Sequence, residues 1–167
     1  MNIVLIGYRG TGKSAVGKIL AAQLGRRLVS TDEEIIRRAG KSIPDIVAAH
    51  GWEYFRDLES AVCQDLAGRD NLVIDTGGGA ILRDENVKVL KGNGRLIWLT
   101  ASVETIAARI GGSSQRPSLT GTKSHVAEIR DVLSERIPKY QAAADHSIPT
   151  DGRSLEELAK TILKQVS

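Results

Sequence analysis

Apolar positions along the chain fall into two kinds of run. Five are short and nearly continuous: Asn2–Ile6, Arg27–Ser30, Leu72–Asp75, Arg95–Thr100 and His146–Pro149. Runs of this length bounded by turn formers predict strands buried on both faces. Between them, apolar residues recur at helical spacing. Val16, Ile19, Leu20 and Leu24 form one stripe, with Gly25 as its stop. Leu155, Leu158, Ala159, Ile162, Leu163 and Val166 mark the face of another, opened by Ser154 and Glu157 as a capping box. Ser42-Ile43-Pro44-Asp45 reads as a third helix start, with proline in the first turn. Strand–helix alternation of this kind predicts an α/β fold, a three-layer αβα sandwich around a five-stranded parallel sheet.

Two segments break the alternation. Residues 32–70 are too long for one crossover helix and predict two or three helices after the second strand. Residues 111–124 lack periodicity and abound in turn formers. A loop of that length is either a functional lid or an inert connection. Arg116 and Lys123 inside it point to a lid that closes over phosphates, hinged near Gly111-Gly112 and Gly121.

Composition narrows the class. The 167 residues suit a single domain, 1–167, with a sizeable core. Net charge is only +3 and aromatic residues make up 4%, so neither a nucleic-acid groove nor a stacking platform is expected. No apolar run approaches the roughly 20 residues that span a bilayer. The first strand starts at Asn2, so no leader is expected, and a cytoplasmic location is expected. The one cysteine, Cys63, lies with Val62 and Leu66 on an apolar face and reads as core. His50, His125 and His146 have no metal-ligand spacing.

The candidate chemistry begins at Gly7-Tyr8-Arg9-Gly10-Thr11-Gly12-Lys13-Ser14, directly behind the first strand. The run fits G-x-x-x-x-G-K-[ST], the phosphate-binding loop. Its glycines let consecutive N–H groups converge on a phosphate, Lys13 brings charge to the β- and γ-phosphates, and Ser14 offers a hydroxyl to Mg²⁺. Gly10, Thr11, Gly12, Lys13, Ser14 and Ala15 are thus the expected ATP-binding stretch, at the positive end of the following helix. No guanine-reading Asn/Thr-Lys-x-Asp motif is present, which argues against a GTPase.

Further groups lie in Ser30-Thr31-Asp32, in Phe55-Arg56-x-x-Glu59, in Gly77-Gly78-Gly79, in Arg116-Pro117 and in Arg136-x-Pro138-x-Tyr140. In this order and register, together with the phosphate loop, they resemble the shikimate kinase family over nearly the whole chain. The resemblance implies a nucleoside-monophosphate-kinase-like P-loop kinase with strand order 2-3-1-4-5. It also implies MgATP as donor, the 3-hydroxyl of shikimate as acceptor, a place in aromatic amino-acid (chorismate) biosynthesis, and a monomer. In the family pattern Arg56 and Arg136 match the arginines that hold the acceptor carboxylate, and Glu59 a residue that props Arg56. Arg109 and the loop Thr150–Arg153 match positions flanking adenine.

The residues also speak for themselves. Asp32, at the carboxyl end of a strand, suits a base that orients an acceptor hydroxyl, but Thr31 and Glu34 also form a capping box that would make it a helix starter. Forked guanidinium donors on Arg56 and Arg136 fit a carboxylate, yet Arg56 also has Glu53 and Glu59 within ion-pairing spacing. Gly77, Gly78 and Gly79 let backbone approach the acceptor, or simply turn the chain. Arg116 is expected to meet the transferred phosphoryl group.

Three positions depart from the family pattern or stand out against it. Trp52 stands where glutamate is more usual. Ser30 stands where an aspartate usually completes Asp-x-Asp and helps hold Mg²⁺. Asp75 ends the third strand, where a small neutral residue is usual, and is either a substitute carboxylate near the metal or a cap of the turn into Thr76-Gly77. Two other functions stay open beside shikimate phosphorylation: a gluconate-type small-metabolite kinase, and a non-catalytic ATP-binding module.

Overall fold

The computed structural model describes residues 1–110 and 125–166. The expected lid, with Arg116, lies outside them. Strands β1 (Asn2–Ile6), β2 (Arg27–Ser30), β3 (Leu72–Asp75), β4 (Gly94–Thr100) and β5 (His146–Pro149) form one sheet in the order β2-β3-β1-β4-β5. Every pairing is parallel. β4 begins at Gly94, one residue before the apolar run, because the Gly94 backbone pairs with Asn2 although it has no side chain to signal burial.

Alternation along the strands divides the core into two layers. Val4, Ile6, Ile74, Leu96 and Trp98 face one side. Ile3, Leu5, Val73, Ile97 and Leu99 face the other, against α1 (Lys13–Leu24) and α8 (Leu155–Val166). The first side is covered by α2 (Thr31–Ala39), α3 (Ile43–His50), α4 (Trp52–Ala67), α5 (Asp84–Gly92), α6 (Val103–Ile110) and α7 (His125–Ala143). Three helices therefore fill the long segment after β2, as its length predicts. Cys63 is fully buried in this layer, and burial pushes its thiol up to about 12.

The helix signals locate the ends. Gly25 terminates α1, Ser42 accepts from the Asp45 amide with Pro44 in the first turn of α3, and Ser154 accepts from the Glu157 amide at 3.2 Å. At α2 the cap lies one residue earlier than Thr31. Ser30 accepts from the Glu33 amide at 3.2 Å, because the strand ends there and the helix begins at Thr31. This frees Thr31 for another partner.

All five strands run the same way, so the loops after β1, β2 and β3 gather at one carboxyl edge. β1 sits between β3 and β4, where successive connections leave in opposite directions and ligand crevices open.

Candidate active site

The phosphate loop is held in shape by its own side chains. The Thr11 hydroxyl donates to the Tyr8 carbonyl at 2.8 Å, and Lys13 donates to the carbonyls of Gly7 and Tyr8 at 2.8 and 3.0 Å. Gly7 has φ +142°, and a Cβ there would lie 2.6 Å from the Leu99 carbonyl oxygen. No other residue fits at that turn.

A cleft of about 390 Å³ opens beside the loop. Gly10, Gly12, Lys13, Ser14 and Ala15 line it from the loop and α1, Asp32 from the first turn of α2, and Asp75, Gly77 and Gly78 from the end of β3. Arg109 enters from α6, with its guanidinium on the Gly10 carbonyl and the Thr150 hydroxyl, both at 3.2 Å. Arg9 also lines the cleft; the motif contains it, but at a position where any residue is allowed. Arg153 does not join the cleft lining: it turns to α8, donating to the Thr161 hydroxyl at 2.5 Å and to the Pro149 carbonyl.

The turn after β3 is tied down from three sides. The Gly77 amide donates to Thr31 Oγ1 at 2.8 Å, the Thr76 hydroxyl to the Leu5 carbonyl at 2.8 Å, and the Tyr140 hydroxyl to the Gly78 carbonyl at 2.5 Å. Thr31 thereby fixes the residue before Asp32 to the glycine triplet. Nothing local in the sequence signals this, since the partners are far apart along the chain. The Thr76 amide goes to Leu5 and the Gly77 amide to Thr31, so Asp75 does not cap this turn. Its carboxylate accepts instead from the Ser14 hydroxyl at 2.5 Å. Burial pushes the Asp75 carboxyl above its ordinary range, against the pull of Lys13 and the Ser14 hydrogen bond.

The two arginines stand behind the triplet. A Cβ on Gly79 would fall 2.4 Å from the Arg56 guanidinium, and one on Gly78 would fall 3.3 Å from that of Arg136. The glycines therefore admit both guanidiniums. Arg56 pairs with fully buried Glu59 at 2.9 Å, and its guanidinium lies 5.5 Å from the Trp52 ring and 5.2 Å from the Phe55 ring. Trp52 thus supplies an aromatic neighbour to the cation. Glu53, the other candidate partner, pairs with Arg83. Arg136 is 7% exposed and lies 5.9 Å from the Tyr8 ring, and no carboxylate among the described residues pairs with it. Pro138 sits inside α7 between Arg136 and Tyr140 and leaves the helix unbroken, although it cannot donate to the preceding turn.

A loop shaped for a polyphosphate faces a strand-end carboxylate and a buried guanidinium that no anion among the described residues neutralises. That combination suits phosphoryl transfer to a small anion, and with this sheet order it places the chain among the P-loop kinases. The model of the family described as shikimate kinase matches residues 9–167. The shikimate kinase of Persephonella marina is 41% identical, over 99% of this chain and 98% of its own. That of Nitratidesulfovibrio vulgaris is 45% identical over 90% of this chain and 87% of its own. The solved shikimate kinase from Acinetobacter baumannii in complex with shikimate is 37% identical, with a TM-score of 0.94 and coverage of 99% and 92%. The chain belongs to the shikimate kinase family.

Proposed function

We propose that the chain transfers the γ-phosphoryl group of ATP to the 3-hydroxyl of shikimate, a step toward chorismate and the aromatic amino acids. The observation that carries the acceptor reading is the charge at the arginines. Arg56 is neutralised by Glu59 and Arg136 by no carboxylate among the described residues, so the pair presents one net positive charge. That balance suits an acceptor with a single carboxylate, which a guanidinium fork can grip with two hydrogen bonds. The charge on Arg136 also argues against an ATP-binding module without an acceptor, since a buried guanidinium with no carboxylate partner among the described residues is costly.

Asp32 lies where it can orient the acceptor hydroxyl and receive its proton as the oxygen bonds to the γ-phosphorus. The bond from that phosphorus to the bridging oxygen breaks, and ADP leaves with the electron pair. Lys13, now on the carbonyls of Gly7 and Tyr8, supplies its charge to the β- and γ-phosphates. Arg109 is assigned to the base side of the nucleotide and Arg116 to the transferred group, both on their sequence match. We read the chain as a single kinase domain acting as a monomer. Helices α2 to α4 form its acceptor side.

The donor set also fits a hard cation. Ser14, Asp32 and Asp75 line the cleft with oxygen alone. No three His, Cys, Asp or Glu side chains converge among the described residues. Mg²⁺ needs no such cage, because it keeps waters and takes one or two carboxylates beside nucleotide phosphates. When bound, Mg²⁺ would draw negative charge from the β- and γ-phosphate oxygens.

Calorimetry with shikimate in the presence of ADP tests the acceptor site. Wild type is expected to bind, and Arg136→Ala to weaken binding by roughly 2–5 kcal/mol. Equal affinity in the two proteins would remove Arg136 from the site.

A further inference from the structure

We propose that Asp75 is the carboxylate that holds the nucleotide's divalent cation, acting with Ser14 from β3 in place of a charge that β2 lacks at Ser30. This deepens the kinase reading and rests on it.

The Ser14 hydroxyl donates to Asp75 Oδ2 at 2.5 Å. A serine hydroxyl has one proton and two lone pairs. With the proton committed to Asp75, Ser14 turns only lone pairs toward the cleft, which is what a metal ligand must present. Asp75 therefore sets the polarity of the ligand as well as adding negative charge.

Asp75 is 8% exposed, yet it lines the cleft. Lys13 and the Ser14 hydroxyl offset part of the cost of a carboxylate held that deep, and a cation bound in the cleft would offset more. The turn that would otherwise explain it does not use it, because the amides of Thr76 and Gly77 are taken by Leu5 and Thr31.

Ser30 and Asp75 are direct partners across β2 and β3. In a parallel pair, register partners present their side chains on the same face, about 4.8 Å apart. Both line the same cleft. Ser30 is engaged as the cap of α2 and carries no charge. A carboxylate on either strand would serve the same spot, and here it stands on β3.

The register makes the test a swap. Aspartate caps a helix as well as serine does, so Ser30→Asp keeps α2 intact while moving the charge across the pair. The readout is Mn²⁺ binding to the protein–ADP complex, followed by electron paramagnetic resonance, with no acceptor present. Asp75→Ala is expected to weaken Mn²⁺ binding by about 10- to 100-fold, the range for partners that orient a ligand. Metal-free ADP should bind as before. Ser30→Asp in the Asp75→Ala background should return Mn²⁺ affinity to near wild type. Asp75→Asn, which preserves shape and an acceptor for Ser14, carries the same test if the alanine variant does not fold. Unchanged Mn²⁺ affinity in Asp75→Asn, or no recovery in a folded swap variant, would overturn the proposal. Neither result depends on shikimate, so a wrong acceptor assignment would leave this outcome untouched.

Discussion

Gly79 shows how closely backbone and side chain are matched at the acceptor end. A methyl group there would lie 2.4 to 2.6 Å from three atoms of the Arg56 guanidinium, which is itself held by Glu59 and flanked by Trp52 and Phe55. Arg56 has little freedom to retreat. Gly79→Ala is therefore expected to raise the acceptor KM strongly while the affinity for ADP, assigned to the phosphate loop, stays the same. Parallel titrations of the two ligands check this, and equal loss of both would point to general collapse. Asp32→Asn keeps the shape but cannot take a proton. It should lose turnover by roughly 10²- to 10⁴-fold while shikimate still binds; a variant with most of the wild-type kcat would leave Asp32 as a helix-start residue only. Cys63 belongs to the core. With its thiol pushed up to about 12 by burial, it should resist a thiol reagent at pH 8 in the native state and react on unfolding.

At the scale of elements, the joint between β2 and α2 carries both stability and site geometry. Ser30→Ala removes the α2 cap and should cost about 1 kcal/mol in denaturant unfolding, while Ser30→Asp should keep the cap. Asp151 makes a second joint, accepting from the Ser102 amide and hydroxyl at the start of α6. Hydrogen bonding from Thr105, and then from Ser102, holds its carboxyl below the usual range despite slight desolvation. A depressed folded-state value means that the ionised form favours folding. That contribution is present above the ordinary value of 3.8 and fades as pH falls through the lower folded value. The gap in thermal stability between wild type and Asp151→Asn should therefore narrow on acidification; a gap that widens below pH 4 would contradict the assignment.

These joints also show what the sequence makes legible. β1 reads to the residue because four apolar side chains stop at Gly7, and α3 because Ser42 and Pro44 mark its first turn. The cap of α2 does not, because Ser30-x-x-Glu33 and Thr31-x-x-Glu34 are overlapping signals and only the path of the chain decides between them. Arg56, Arg136 and the triplet are legible as a motif. Their contact is not, since nothing local says that Gly79 meets a side chain from α4. The bonds of Thr31 to Gly77 and of Tyr140 to Gly78 join distant segments and leave no local trace.

For the molecule as a whole, sheet order does the positioning. With β1 between β3 and β4, the phosphate loop lies beside the β3 turn, and β2 sets Asp32 on the other side of it. In the proposed reading, donor and acceptor groups thus meet along one edge, with the arginines of α4 and α7 behind the glycine triplet. The arrangement needs the sheet to close in this order, so weakening β1 should cost both stability and nucleotide binding. Leu5→Ala, in a fully buried position, is expected to destabilise by about 2–5 kcal/mol. The most direct measurement of shikimate phosphorylation is coupled ADP release from MgATP by the folded wild-type protein, with shikimate and gluconate in separate reactions. Release is expected to saturate with shikimate and not to be stimulated by gluconate. Release that stays at the acceptor-free background with millimolar shikimate would contradict the proposed function.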